Sequence, residues 1–201
     1  MARSPAPIRA FVSSVNVRNL MRLLSLLAAA AAVSACVSAP SATALAPPPA
    51  STALLKGPNG ERIGQVLIQQ VPTGVVIDVD VKGLTPGWHG MHIHEKGDCS
   101  APDFTSAGGH VHDGVGERVH GYLTASGGEA GDLPNLWVGA DGAGKAQVYS
   151  DRVSLTAGTG RVALWGSQDT AAFVVHAARD DHYTQPIGGS GARVACGKLT
   201  H

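Results

Sequence analysis

The sequence predicts an all-β domain, an antiparallel sandwich or barrel of about eight short strands. Three observations carry this. Apolar and polar residues alternate at period two, most clearly in Val75-Val76-Ile77-Asp78-Val79-Asp80-Val81-Lys82, and no segment shows a helical period. Turn pairs such as Asn59-Gly60 and Asp141-Gly142 punctuate the apolar runs. Composition agrees, with 26 Gly and 12 Pro against 15% charged and 4% aromatic residues. A length of 201 residues suits one domain, and a formal net charge of zero offers no broad basic bias toward nucleic acid.

In chain order, Ala53–Lys56 and Ile63–Gln70 flank the Asn59-Gly60 turn. Pro72-Thr73-Gly74 leads into the alternating strand, whose Val75, Ile77, Val79 and Val81 face inward while Asp78, Asp80 and Lys82 face water. Leu84-Thr85-Pro86-Gly87 turns the chain into a histidine-bearing strand. A Gly-rich region without strands follows, from about Lys96 to Asn135, and loops this long in a compact domain are usually functional. Strands resume at Leu136–Val138, Ala146–Ser150, Val153–Leu155, Arg161–Leu164 and Ala171–His176, and Val194–Leu199 closes the fold.

The domain occupies residues 53–201. Residues 1–35 read as a signal peptide, with Met21 an alternative start: Met21-Arg22 precedes a short Leu/Ala-rich segment too brief to span a bilayer comfortably. It ends Val33-Ser34-Ala35-Cys36, which resembles a bacterial lipobox, so Cys36 is expected to carry lipid. Residues 36–52 are rich in Ala, Pro, Ser and Thr and read as an unfolded tether. The expected location is the periplasm or cell envelope, held to a membrane. Two cysteines then remain, Cys99 and Cys196. In an exported protein such a pair is most simply a disulfide, although two free thiols acting as metal ligands is the alternative.

The chemistry concentrates in Trp88–Asp113, which holds His89, His92, His94, His110 and His112, with His120 close behind. On a strand His92 and His94 share one face, roughly 6.5 Å apart, while Met91 and Ile93 share the other. Both imidazoles can reach one ion, and imidazole suits copper, zinc, iron or nickel.

These residues resemble the bacterial copper/zinc superoxide dismutases across nearly the whole folded part. The anchors are His89-Gly90-Met91-His92-Ile93-His94-Glu95, Gly97-Asp98-Cys99, Ser106-Ala107-Gly108-Gly109-His110, Ala130-Gly131-Asp132-Leu133-Pro134-Asn135-Leu136, Val174-Val175-His176 and Gly191-Ala192-Arg193-Val194-Ala195-Cys196-Gly197. The resemblance implies an eight-stranded Greek-key barrel that dismutes superoxide with copper. It implies copper ligands His92, His94, His110 and His176, and zinc ligands His110, His120 and Asp132, with His110 shared. It further implies a disulfide between Cys99 and Cys196, an anion-guiding Arg193, a bracing His89, and an Asp180 that links ligand histidines of both metals. Glu129 departs from the pattern, standing where the family has His, and His112 and Asp113 stand where Asn and Pro are usual. Glu129, or else His112, is the expected substitute zinc ligand, with a weak or empty zinc site as the alternative. Zinc accepts carboxylate oxygen. A copper-binding or copper-storage lipoprotein without turnover is the alternative function, and the sequence leaves monomer and homodimer open.

Overall fold

The computed structural model describes residues 47–100, 102–166 and 169–200. The expected signal peptide, Cys36 and most of the tether lie outside these residues. Eleven strands are described: β1 (Ala50–Lys56), β2 (Arg62–Val71), β3 (Gly74–Lys82), β4 (Gly87–His89), β5 (Met91–His94), β6 (Leu136–Val138), β7 (Ala143–Ser150), β8 (Val153–Ser154), β9 (Val162–Ala163), β10 (Ala172–His176) and β11 (Arg193–Lys198). Nine of them form one antiparallel sheet in the order β4-β6-β7-β3-β2-β1-β11-β10-β5. Its two edges, β4 and β5, are consecutive pieces of chain separated only by Gly90. The sheet therefore curls until its ends meet, and counting β4 and β5 as one interrupted strand gives the eight-stranded barrel that was expected.

Two boundaries differ from the sequence reading. β1 begins at Ala50, inside the stretch assigned to the tether, because Ser51 is buried with its hydroxyl on the Thr200 carbonyl, 2.5 Å away. The β8 and β9 segments do not join the barrel. They pair with each other in parallel, Val153 with Val162 and Ser154 with Ala163, in a contact too short to extend the main sheet.

The interior is filled by the inward set of each strand. Val75, Ile77, Val79 and Val81 are at most 2% exposed, and Leu55, Ile68, Met91, Ile93, Leu136, Phe173, Val175 and Ala195 join them in one cluster. β10 is buried on both faces. Phe173 and Val175 point into the barrel, while Ala172 and Val174 pack outside it with Phe104, Ala107 and Cys196 under the 99–108 segment. This explains why Ala171–His176 reads as a continuous apolar run rather than an alternating one. A disulfide joins Cys99 to Cys196, fastening that segment to β11.

Candidate metal centre

Strand register collects the histidines. On β5 and β10, His92 lies opposite Val174 and His94 opposite Ala172, while Met91 and Ile93 pair with Val175 and Phe173 on the core side. Cross-strand partners share a face. His92, His94 and, by alternation along β10, His176 therefore stand together on the outer face of the barrel. The loop segment delivers His110 through a bridge to His94, and Asp132 through a bridge to His92. The His92 and His110 rings stack with centroids 4.0 Å apart, and His92–His176 and His94–His110 centroids are 4.8 and 4.9 Å apart. All four histidines are at most 2% exposed.

Each of the four has one ring nitrogen engaged and one free. His94 Nδ1–H donates to the Gly108 carbonyl at 2.9 Å and His176 Nδ1–H to Gly191 at 3.0 Å. His92 Nε2–H donates to Asp180 Oδ2 at 2.9 Å, and His110 Nδ1–H to Asp132 Oδ1 at 2.8 Å. The opposite atoms, His92 Nδ1 and the Nε2 atoms of His94, His110 and His176, are buried without a hydrogen-bond partner. One ligand atom from each of these residues falls within 4.8 Å of the rest. Buried polar atoms are almost always paired, so four converging orphans are the mark of a metal site. Burial keeps three of the rings neutral, with the lone pair available. It pushes His92 down to about 3 and His176 to about 4, against the hydrogen bonds that favour charge, and carries His94 well below its ordinary value.

A second cluster adjoins the first through His110. His92, His110, His120 and Asp132 also offer ligand atoms within 4.8 Å of one another. His120 Nδ1–H donates to Asp132 Oδ1 at 2.9 Å and its Nε2–H to Asp180 Oδ1 at 3.0 Å. Asp180 thus joins a ring of each cluster. Here carboxylates outweigh burial. His120 is raised to about 9, His110 is raised by Asp132 and Glu129, and Asp132 and Asp180 are held well below the carboxylate range by hydrogen bonds from these rings despite their burial. Protons occupy the positions that a dication would fill.

Glu129 and His112 are placed differently. Glu129 is 6% exposed, with Oε2 3.3 Å from His110 Nδ1 and Oε1 without a hydrogen bond. His112 is not brought to the cluster. Its Nδ1 lies 3.3 Å from Asp113 Oδ1 and its ring lines an open pocket with Asp113 and Glu117, because the chain has moved two residues past His110.

The other predicted residues take supporting places. His89 bridges the His176 carbonyl (2.6 Å) and the Thr85 carbonyl (2.8 Å), tying β4 to the end of β10. Arg193 donates to the Phe104 and Gly108 carbonyls, and its charge reaches His94 and His176. A β-bulge accounts for its position: Ala195 pairs with Val175, but Arg193, not Val194, pairs with His176. Several supports carry no sequence signal of their own. Asn135 grips the Asp180 backbone from both sides at 2.8 Å, Gln185 does the same for His120 at 2.8 Å, Tyr122 donates to the Asp132 carbonyl, and Arg118 joins Glu95 to the His110 carbonyl. Their partners lie 8 to 65 positions away along the chain, so only the folded chain brings them together.

Comparison with known proteins agrees. The family described as copper/zinc superoxide dismutase (SODC) matches residues 62–199. A Caulobacter vibrioides protein named superoxide dismutase [Cu-Zn] is 52% identical over 149 residues, 74% of this chain and 84% of the relative. The superoxide dismutase-like protein YojM of Bacillus subtilis is 41% identical over 70% of this chain and 71% of its own length. The solved copper/zinc superoxide dismutase of Brucella abortus superimposes with a TM-score of 0.60 at 30% identity, covering 76% of this chain and 100% of that one. With the matched residues covering every strand after β1 and both histidine clusters, the chain belongs to the copper/zinc superoxide dismutase family of enzymes, whose cofactors are copper and zinc.

Proposed function

We propose that the protein dismutes superoxide outside the cytoplasm, holding copper at His92 Nδ1 and the Nε2 atoms of His94, His110 and His176. The observation that carries this is the set of four buried, unpartnered imidazole nitrogens converging on one point. Zinc would be held by Asp132, by the Nδ1 atoms of His110 and His120, and by Glu129 Oε2, a donor set of nitrogen and oxygen that zinc accepts. Copper supplies the one-electron change between Cu(II) and Cu(I), which zinc lacks.

The chain's own residues do the rest. Two superoxide anions and two protons become O₂ and H₂O₂. Arg193, half-buried and fixed by two carbonyls, places a positive charge beside His94 and His176 that draws in a small anion. His110 Nε2 stores a proton between the two half-reactions and gives it to the second superoxide. Asp180 holds His92 in the tautomer that leaves Nδ1 free. His89 fixes the backbone at His176.

Copper-loaded protein should remove superoxide, and His110→Ala or His176→Ala should abolish that activity. Activity intact in either variant overturns the assignment. Tight copper binding with negligible turnover in the unaltered protein would favour storage instead. We also propose that Cys36 carries the lipid that holds the protein to a membrane. Cys36→Ser should then move it from the membrane fraction to the soluble one.

A further inference from the structure

Arg118 was assigned no role by the sequence, yet it touches three parts of the zinc side at once. Its Nη2 pairs with Glu95 Oε2, next in the chain to His94. Its Nη1 donates to the backbone carbonyl of His110 at 3.1 Å and lies 3.6 Å from Glu129 Oε1. The guanidinium lies over Gly109 so closely that a Cβ there would sit 2.5 Å from Nη1. Glu129 is therefore a divided carboxylate. One oxygen turns inward to His110 Nδ1 at 3.3 Å, and the other, buried and without a hydrogen bond, turns to Arg118.

We infer that Arg118 is a positioning residue for the zinc centre, holding the Glu129 carboxylate turned toward His110 and balancing the charge that Glu129 adds beside Asp132. The inference rests on the reading of Glu129 as the fourth zinc ligand. A buried carboxylate needs a partner, and two carboxylates on one small site repel each other in its absence. A guanidinium is suited to the task because its planar fork hydrogen-bonds two acceptors in a fixed geometry, here the Glu95 carboxylate and the His110 carbonyl, and that holds its charge at ion-pair distance from Glu129 Oε1. Arg118 is half-exposed. Solvent therefore screens its repulsion of a nearby dication, and orientation of the ligand is the larger effect.

The test is zinc affinity, read by competition with a chromophoric chelator, with the visible spectrum of cobalt(II) in the same site as a second readout. Arg118→Gln should weaken zinc binding by about tenfold, the scale of losses when a group that orients a metal ligand is removed, and should alter the cobalt spectrum. Arg118→Lys should recover part of the loss, since it keeps the charge without the fork. In a Glu129→Gln background, Arg118→Gln should cost nothing further. Equal losses in both backgrounds would mean that Arg118 acts through the His110 carbonyl or the general fold, and the inference fails. Unchanged or tighter zinc binding in Arg118→Gln overturns it as well. If Glu129→Gln alone leaves zinc affinity unchanged, the ligand reading itself is wrong and the inference falls with it. Thermal melting of each metal-free variant separates these outcomes from loss of folding.

Discussion

The number of protons released on metal binding is set by the hydrogen bonding of the metal-free protein. On the zinc side, His120 is raised to about 9 and is an imidazolium ion at pH 7, while His110 is raised above its ordinary value because its carboxylate partners outweigh its burial. Filling that site removes the Nδ1 proton of His120, so one proton or more should leave with zinc, any second coming from His110. His110 then retains a proton on Nε2. The remaining copper-side rings are already neutral, His92 at about 3, His176 at about 4 and His94 well below its ordinary value, with their metal-facing nitrogens free. Copper added after zinc should therefore release about one proton, the one from His110 Nε2. Zinc affinity should rise with pH by about one log unit per unit or more near pH 7, and copper affinity by about one. Isothermal titration calorimetry of the metal-free protein, zinc first and copper second, in two buffers of different ionisation enthalpy, counts these protons directly. About four protons in the copper step would mean that His92, His94 and His176 are charged before metal arrives. None would mean that His110 does not bridge the two sites. Either result refutes the reasoning.

Three further outcomes are expected. The metal-free protein should lose stability as pH falls below 6.5: His92 and His176 have folded pKa values under that of the unfolded chain, so the unfolded state takes up protons first, and the shift of His176 from 6.5 to about 4 alone represents about 3 kcal/mol. His120 has the opposite sign, its contribution present below 6.5 and lost as pH rises through about 9. Urea midpoints of the metal-free protein at pH 7 and pH 4 check the first and those at pH 7 and above pH 9 the second, and equal midpoints in either comparison refute it. Cys99→Ser/Cys196→Ser opens a loop of sequence separation 97 and should cost on the order of 4 kcal/mol, measured by denaturant unfolding under oxidising conditions. Gly188→Ala should disrupt both metal sites, because Gly188 has φ +62° and a Cβ there would lie 1.6 Å from Asp180 Oδ1; copper and zinc content per chain reads the effect.

How far the molecule can be read from its sequence depends on the range of the interaction. Period-two alternation is local, so the inward set of β3 and the pairing of His92 with His94 follow from neighbouring residues alone. The hairpin at Asn59-Gly60 is equally local, with Gly60 at φ +83°. Arg193 shows where that logic stops. Strict alternation from Ala195, which faces the core, would turn Arg193 inward too, away from the histidines. The extra residue at Val194 reverses the face, and no period in the sequence announces a bulge. His112 shows the converse. Its spacing from His110 matches that of His92 from His94, yet the loop carries it to Asp113 and an outer pocket, while Glu129, distant in sequence, comes within 3.3 Å of His110. Arg118 marks the limit. It is a charged loop residue, and its three partners, two hydrogen-bonded and Glu129 at ion-pair distance, belong to the end of the β5 segment, the His110 backbone and the segment before Asp132. Motif spacing identifies groups that could bind a metal. The backbone irregularities and long-range polar contacts that aim them exist only once the barrel has closed. Substitutions at Arg118, Asn135 or Gln185 should therefore change metal affinity while every ligand remains in place.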